Sequence, residues 1–512
     1  MKINSYLTTL AIWIAIVLTL GVLALNYPLL LLLVSTPFGS SVAIADPLDL
    51  NLPIIGESAG RYLSPEEDRR LGEAFMRNLR RSISFVDDSI VTDYLHSLGY
   101  QIVANADTPI QSFDFFAVDD PTINAFAGPG GHIGINTGLL LATDSEHELA
   151  AVIAHEVAHV SQHHIARSIE MGDRMSIPTI AAMLAAIVIA SQTGQAGEAA
   201  IAAAAAGSTQ MQINFLRGNE QEADRVGIQS LQRAGFDPRA MAGFFEHLQK
   251  SARYDVGTLP EFLRDHPVTE SRITDARNRA EQFSYRQRAD SLAYHLVRAR
   301  LKIRALPSPA QGVQELKHSL DNGSYRNAAA THYAYALALL ANHDPQAARV
   351  EVARLLTADP ERIPYLITQA DIELATGNTA AALTVYGQAQ RLYPNNLSVT
   401  VNETRTLLQA KRPKEARDLL QGFMRDRSPN PAWYKLLAQA EGEVGNTPAS
   451  REAVAEYLYL TGETRTAAYE LRKALALPNL DFYTGSRIEA RIKVLDEELA
   501  AEKERTKGGW GN

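Results

Sequence analysis

The pattern of apolar and polar positions predicts a helical first half that contains a small sheet. Apolar residues recur at helical spacing from Leu149 to Val160, after a Thr143–Glu146 segment that offers a capping box. The predicted helices begin near Ser64 and cover about 88–104, 143–160 and 219–234, and the predicted strands cover Ser112–Val118 and Gly131–Asn136. The pattern therefore predicts an α+β domain that is mostly helical.

The second half of the chain repeats with a period of 34 residues. At this period four turn-forming segments fall into register, and a small residue follows each turn at the same distance. The turns begin at His343, Gly377, Lys411 and Gly445, and the small residues are Ala348, Ala382, Ala416 and Ser450. This is the period of tetratricopeptide (TPR) repeats, which bury their faces by stacking. We predict an all-α TPR solenoid over 286–480, followed by a charged helix within 481–512; an unrelated helical bundle is the alternative.

The first 45 residues have the pattern of an export segment. Lys2 precedes an apolar stretch from about Leu7 to Val34, and Ala43-Ile44-Ala45 offers a cleavage site of small residues. We therefore predict a signal peptide over 1–45 that is cleaved near Ala45. Because the stretch is near the length that spans a bilayer, an uncleaved membrane anchor is the alternative.

A second apolar segment covers residues 178–206 and is interrupted by Ser191-Gln192-Thr193-Gly194. Each half is shorter than the roughly 18–20 residues that a transmembrane helix requires. We predict a helical hairpin, for which three alternatives stay open. It is buried in the domain, it contacts a membrane surface, or it covers a cleft as a lid.

Composition narrows the classes of function. The chain has 512 residues and no cysteine, which excludes disulfides and thiolate metal sites. Its net charge of −9, without long basic runs, argues against nucleic acid or anionic lipid as the main partner. The length allows two or more domains, in agreement with the change of pattern near residue 285.

The motif with the clearest chemistry is His155-Glu156-Val157-Ala158-His159, inside a predicted helix. Residues four apart lie on one helix face, so the two imidazoles can bind one zinc ion. Glu156 then lies beside the open position of the metal, where it can take a proton from bound water. The motif indicates zinc-dependent attack on a peptide carbonyl; two unrelated histidines on a polar face are the alternative.

A third ligand has to come from elsewhere, because Gln162 and Ile165 stand where an extended motif has glycine and histidine. The segment Asn219–Asp224 offers two carboxylates, Glu220 and Asp224, at i, i+4 on another predicted helix. One of them can complete a His₂Glu site, and the other can hydrogen-bond the second ring nitrogen of a ligand histidine.

Together these residues resemble the M48 family of zinc metallopeptidases, which have a zincin-like fold. Two further segments are similar to family marks. They are Asn124–Leu140, with its Pro-Gly-Gly and Thr-Gly-Leu-Leu, and Asp265-His266-Pro267 followed by Arg272-Ile273. The resemblance covers most of residues 60–285 and implies a metallopeptidase domain over 46–285.

The resemblance also implies a role for each motif residue. His155, His159 and Glu220 would bind one Zn²⁺ per chain, and Glu156 would be the catalytic base. Asp224 would support the site from behind a ligand histidine.

The family resemblance further favours a substrate-binding strand that pairs with an extended peptide; a plain hairpin strand is the alternative. The residues of this strand are Gly131, His132, Ile133, Gly134 and Ile135.

Three other histidines lie in segments that could approach the metal. We hypothesise that His266 approaches the open position of the zinc and keeps the enzyme latent, as a regulatory or fourth ligand; a structural turn is the alternative. His163 and His164 follow His159 by about one turn. We predict that both are surface or partly buried helix residues away from the metal.

The order of signal peptide, M48-type peptidase and TPR solenoid resembles exported M48 peptidases of Gram-negative bacteria. That resemblance implies a periplasmic zinc metalloendopeptidase with chaperone-like action. Such an enzyme degrades misfolded or stalled outer-membrane β-barrel proteins and assists their assembly, and its TPR domain contacts the barrel assembly machinery.

Two other functions stay open. One is a membrane-anchored protease of inner-membrane clients, which requires an uncleaved N-terminus. The other is a TPR binding or chaperone protein with a latent zinc site closed by four ligands. The intact Glu156 argues against the second, because a structural zinc site needs no base.

Overall fold

The structure is a computed structural model that describes residues 63–107, 112–170, 176–192, 209–254, 260–284, 288–478 and 480–508. The predicted signal peptide, the alternative anchor and the second half of the predicted 178–206 hairpin lie outside these residues. The described chain is mostly helical and contains a small three-stranded sheet, so the predicted fold class is confirmed.

The helices of the first half begin where the sequence offers caps. Ser64 caps helix α1 (Pro65–Arg80) through a capping box with Glu67, and Asp88 caps α2 (Ser89–Val103). The other helices are α3 (Thr137–Ala142), α4 (Glu146–Ser161), α5 (His164–Glu170), α6 (Ile177–Gln192), α7 (Thr209–Arg233), α8 (Arg239–Tyr254), α9 (Glu261–Asp265) and α10 (Glu270–Ala280). Helix α7 begins well before residue 219, because Gly218 does not interrupt it.

The start of α4 differs from the capping box predicted at Thr143–Glu146. Ser145 is the N-cap, and its side chain accepts a hydrogen bond from the Glu148 N–H. The Glu148 carboxylate accepts from the Asp144 N–H at 2.7 Å. Thr143 is buried and lies 3.0 Å from the Tyr294 hydroxyl. The cap therefore lies two residues later, and the buried face of the helix is as predicted.

Three strands form the sheet. They are β1 (Asp114–Val118), β2 (Ala125–Ala127) and β3 (His132–Asn136), in the order β1-β3-β2. β1 pairs parallel with β3, and β2 pairs antiparallel with β3. A 3₁₀ turn, Pro129–Gly131, joins β2 to β3. Gly130 and Gly131 have φ values of 70° and 78° there, which glycine adopts without strain.

The order of the strands shows that the predicted substrate-binding strand is wrong. β3 is hydrogen-bonded on both edges, so it has no free edge for an extended substrate backbone. Ile133–Ile135 are buried, Gly131 belongs to the turn, and His132 lies 3.1 Å from Asp114 of β1. Among the described strands, the edge that packs next to α4 is β2.

Helices cover both faces of the sheet. On one face, Phe115, Ile133 and Ile135 join the main core with α2 and α4. On the other face, Phe116 and Phe126 pack with α1 and α6. Helix α4 also packs along α7 and α8, so it is enclosed on nearly every side.

Helix α6 is the described part of the predicted 178–206 hairpin. Ile180, Ala181 and Ala185 are buried against α1, whereas Met183 and Ile187 are 39% and 46% exposed. The described half is thus a packed helix of the domain with an apolar outer stripe. Within the described residues, no helix combines the length and apolarity needed to cross a bilayer.

The second half consists of packed helix pairs, as the 34-residue period predicts. Helices α11 (Leu292–Ala305) and α12 (Pro309–Asp321) come first. The pairs are α13 (Ala328–Ala341) with α14 (Pro345–Ala358), α15 (Ile363–Ala375) with α16 (Thr379–Leu392), α17 (Leu397–Gln409) with α18 (Pro413–Met424), α19 (Pro431–Val444) with α20 (Thr447–Leu460), and α21 (Thr464–Leu475) with α22 (Phe482–Gly508). All four predicted turns join the two helices of a pair, and α22 contains the predicted charged helix.

The repeats pack directly on the first half. The main core continues from α2 and α4 into the repeats, where Leu366, Ile367 and Val399 belong to it. Above this core, the Asp93 carboxylate of α2 accepts from the Ser398 hydroxyl at 2.7 Å and the Asn396 amide at 3.0 Å. This part of the repeat surface is therefore not available to another protein.

A second contact joins α1 to the end of the solenoid. The guanidinium groups of Arg77 and Arg491 lie 4.5 Å and 4.4 Å from the ring centre of Tyr459. In the next turn Gly462 has a φ of 88°, and a Cβ there would lie 2.4 Å from the Arg81 side chain. The turn fits against α1 only with glycine.

Candidate metal centre

The two histidines of the motif lie on the buried side of α4 that faces α7. His155 is fully buried, and the Nε2 atoms of His155 and His159 are 3.0 Å apart. The rest of α4 is apolar and buried, including Val152, Ile153 and Val157. Because α7 packs along this side of α4, its acidic residues meet the histidines.

Glu220 of α7 and His266, which follows α9, complete a cluster of four. The Glu220 carboxylate lies 3.5 Å from His155 Nε2 and 3.4 Å from His159 Nε2. His266 Nδ1 lies 3.3 Å from His155 Nε2 and 3.2 Å from Glu220. The structure thus brings the three candidate ligands and the candidate fourth ligand into one buried group.

The spacing of these atoms fits a tetrahedrally bound metal ion. Bonds of about 2.0–2.1 Å at tetrahedral angles place the ligand atoms about 3.3 Å from one another. The separations between the donor atoms above run from 3.0 Å to 3.5 Å. Three nitrogens and a carboxylate at these distances can share one cation.

Burial and the carboxylates set the charges in the cluster. Burial lowers the pKa of His159 well below its ordinary value. Burial also acts to lower the pKa of His155, but Asp224 and Glu220 outweigh it and raise that pKa to about 10. A metal ion that binds His155 therefore competes with a proton for the ring nitrogen.

Glu156 lies beside the cluster. Its carboxyl is 1% exposed and lies 3.5 Å from His266 Nε2. Neither carboxyl oxygen has a hydrogen-bond partner among the described residues, and burial raises its pKa. A buried carboxylate with free acceptor capacity can exchange a proton with a small molecule such as water.

Asp224 and Arg272 lie behind His155. Asp224 Oδ1 is 3.0 Å from His155 Nδ1, and Arg272 donates two hydrogen bonds to Asp224, at 2.7 Å and 2.8 Å. Arg272 is also 2.9 Å from Glu220. Burial acts to raise the pKa of Asp224, but Arg272 and His155 outweigh it and lower that pKa. The sequence pattern predicted a carboxylate behind a ligand histidine but gave no role to Arg272.

His164 contacts His159 from another side of the cluster, and it is buried rather than at the surface or partly buried as predicted. Helix α4 ends at Ser161, and His163 has a φ of 52°, so the chain turns before α5 begins at His164. His164 Nδ1 lies 2.9 Å from His159 Nδ1. Burial lowers the pKa of His164 to about 4. The helical pattern runs on past Ser161 and gave no sign of this turn.

The segment that carries His266 is tied to the sheet just before β2. The Phe262 N–H donates to the Ile123 carbonyl at 3.0 Å, and the Asn124 amide donates to Asp265 at 2.9 Å. His266 is therefore held over the cluster from the β2 side. The residues Gly131–Ile135 are not members of the cluster.

Comparisons with known proteins match both halves. Residues 89–280 match the model of peptidase family M48, and residues 373–440 match a tetratricopeptide repeat model. The chain is 36% identical over 453 residues to the β-barrel assembly-enhancing protease of Escherichia coli (strain K12), across 88% of this chain and 92% of that protein. It is 36% identical over 444 residues to the protein of the same name from Yersinia pestis, across 87% and 91% of the two chains.

A more distant similarity is confined to part of the chain. The chain is 30% identical over 182 residues to the mitochondrial metalloendopeptidase OMA1 of Schizosaccharomyces pombe. This match covers 36% of this chain and 51% of that protein.

Proposed function

Because the chain belongs to peptidase family M48 and is a metalloendopeptidase, we propose that it is a zinc enzyme acting on misfolded or stalled outer-membrane β-barrel proteins. The observation that carries the catalytic part is the buried cluster of four donor atoms with Glu156 beside it. The substrate class is supported by the name of relatives that match along most of the chain.

His155, His159 and Glu220 would hold the zinc ion. Imidazole and carboxylate donors without thiolate suit zinc, whose catalytic sites often combine two histidines and a glutamate. When bound, zinc supplies Lewis-acid polarisation of the scissile carbonyl and lowers the pKa of water.

Glu156 would move the proton. As the base, it takes a proton from the attacking water and passes it to the leaving amine. Its raised pKa makes the carboxylate a better acceptor, and its burial keeps bulk water from competing. Arg272 and Asp224 fix the ring of His155 while this happens.

We propose that the substrate backbone pairs with strand β2. The carbonyl of Asn124 and the N–H of Gly128 bond to β3, so the alternating residue Ala127 directs its backbone groups outward. Ala127 is partly exposed, whereas Ala125 is covered. An extended peptide added at this edge would run beside α4, which carries Glu156.

His266 would hold the site latent. Its Nδ1 atom lies 3.3 Å from His155 Nε2 and 3.2 Å from Glu220, which supports a role as fourth ligand. The same segment bonds to Ile123 at the β2 edge. Release of this segment would free both the fourth position and the edge.

The proposed place of action is the periplasm of a Gram-negative cell, reached through a signal peptide that is cleaved near Ala45. The solenoid would contact the barrel assembly machinery through the surface that the first half leaves uncovered. The name of the bacterial relatives, which refers to barrel assembly, supports the second statement.

The proposal is tested with the zinc-loaded 46–512 chain and an unfolded outer-membrane β-barrel protein, beside Glu156→Gln. We expect the wild type to cleave, and the variant to keep one zinc per chain while cleavage falls about 100-fold or more. Equal cleavage by both proteins contradicts the role of Glu156, and absence of bound zinc in the wild type contradicts the metal site.

A second candidate function is a binding or chaperone role toward the barrel protein, exercised while the zinc site of the peptidase stays latent. The position of His266 favours it, because four protein ligands make a closed site. In that case neither the wild type nor His266→Ala cleaves, although both bind zinc and suppress aggregation of the unfolded barrel protein.

A further inference from the structure

A chain of partly buried hydrogen bonds leads from His159 away from the metal cluster. His159 Nδ1 lies 2.9 Å from His164 Nδ1, and His164 Nε2 lies 3.3 Å from the Glu222 carboxylate. Arg167 donates to the same carboxylate at 2.7 Å and to the Asn219 side chain at 3.1 Å. His164 is 3% exposed, whereas the Glu222 and Arg167 side chains at the outer end of this chain are 26% and 33% exposed.

Metal binding at His159 Nε2 determines which ring nitrogens of His159 and His164 carry protons. His159 Nε2 belongs to the cluster, 3.0 Å from His155 Nε2 and 3.4 Å from Glu220, and a ligand nitrogen carries no proton. His159 Nδ1 then carries the ring proton and donates it to His164 Nδ1. His164 must accept there, so its own proton is on Nε2, which donates to Glu222. One assignment therefore satisfies every link.

We propose that His164 is a positioning residue that orients the His159 ring and raises its affinity for the metal, with Glu222 and Arg167 behind it. The inference rests on the metal site proposed above. A metal-binding imidazole usually donates its other N–H to a carboxylate, a carbonyl or water. Here a second imidazole takes that place and transmits the charge of Glu222.

The two ligand histidines are supported in matching ways. Behind His155 stands Asp224, which is paired with Arg272. Behind His159 stands His164, which links to Glu222 and its partner Arg167. Glu222 and Asp224 both belong to α7, two and four residues after Glu220. One short segment of α7 thus supplies a candidate ligand and both supporting carboxylates.

The test measures metal affinity rather than activity alone. The zinc dissociation constants of the wild type, His164→Phe and His164→Asn are determined on the 46–512 chain by competition with a chromogenic chelator. Phenylalanine keeps the ring volume without the acceptor, whereas the asparagine side-chain oxygen can restore it. His163→Asn is the matched control, because it removes the neighbouring histidine at a left-handed position that asparagine tolerates.

We expect His164→Phe to weaken zinc binding about 10- to 100-fold, His164→Asn to recover most of the affinity, and His163→Asn to match the wild type. Thermal unfolding of the chelated proteins separates positioning from packing. Unchanged affinity in His164→Phe overturns the inference, and so does an equal loss in His164→Phe and His164→Asn. A loss that tracks a lower unfolding temperature of the metal-free protein overturns it as well. If the wild type binds no zinc, the proposed function itself fails.

Discussion

The carboxylates of the site fall into two groups: those whose oxygens accept hydrogen bonds from the protein and those whose oxygens do not. Asp224 receives two hydrogen bonds from Arg272, and Glu222 receives one from Arg167. The carboxyl oxygens of Glu156 have no such partner in the described residues. A buried carboxylate left open in this way is costly, and it is usually found where a ligand or water completes the bonding. The supporting carboxylates thus have hydrogen-bond partners in the protein, whereas the carboxyl of the proposed base, Glu156, is open to a ligand or water.

Replacement of His266 tests the latent state at this scale. We expect His266→Ala to raise kcat/KM on an unfolded barrel protein, because removal of the imidazole frees the fourth position. If the closed form predominates about nine to one, the gain is about tenfold. Steady-state cleavage assays at saturating zinc measure it.

The control for this variant is the double change His266→Ala with Glu156→Gln. It should bind zinc and remain inactive, which ties any gain to the same site. Unchanged or lower activity of His266→Ala would count against latency.

At the scale of elements, the sequence predicted which segments are helices and strands better than how they are arranged. Helix α4 was predicted from its long apolar segment, and its residues are buried on nearly every side. Its end could not be predicted, since the turn depends on the φ of His163 and the apolar spacing runs through it. That is why the contact between His164 and His159 was missed.

The sheet shows a similar limit. Alternation predicted β1 and β3, because each presents one face to each helical layer. Alternation does not say which strands are neighbours. Strand β2 has three residues, which is too short to give a pattern, and it forms the edge of the sheet. Strand β3 therefore lies in the middle.

The edge role of β2 predicts an effect of proline at Ala127. Ala127→Pro removes an outward N–H without breaking the ladder to β3, and proline is tolerated at sheet edges. We expect kcat/KM to fall about tenfold, the value of one lost hydrogen bond, while zinc content stays at one per chain. Peptide hydrolysis and metal analysis measure the two quantities.

Ala127→Ser is the matched control, because it keeps the N–H and adds only a small side chain. It should retain most of the wild-type activity. Equal effects of the two substitutions, or none from proline, would argue that the substrate does not pair with this edge.

At the scale of the whole molecule, the boundary between the halves carries buried charge. Asp371 of α15 lies within electrostatic reach of Arg300, Asp88 and Arg405, and burial raises its pKa to about 6. Unfolded, the carboxyl titrates at about 3.9. A folded pKa above the unfolded one favours the fold below pH 4, and this advantage is lost as pH rises through 6.

Asp371→Asn should therefore stabilise the protein at high pH. We expect the free energy of unfolding to rise by about 3 kcal/mol at pH 8 and by less than about 0.5 kcal/mol at pH 4, since each pKa unit is worth about 1.4 kcal/mol. Urea denaturation at both pH values measures the difference. The exposed carboxylate of Asp426 provides the control, because Asp426→Asn should shift neither value. A gain that does not depend on pH would contradict the assignment.

The core that runs from α2 and α4 into the repeats has a consequence for how the chain responds to a partner. Leu366 and Val399 pack in the same cluster as residues beside the metal site, so the two halves share part of their unfolding free energy. A protein that binds only the native repeats adds its binding free energy to that shared quantity. Binding of a partner to the solenoid and the stability of the region around His155 are then thermodynamically linked. This linkage requires no conformational change that passes from one half to the other.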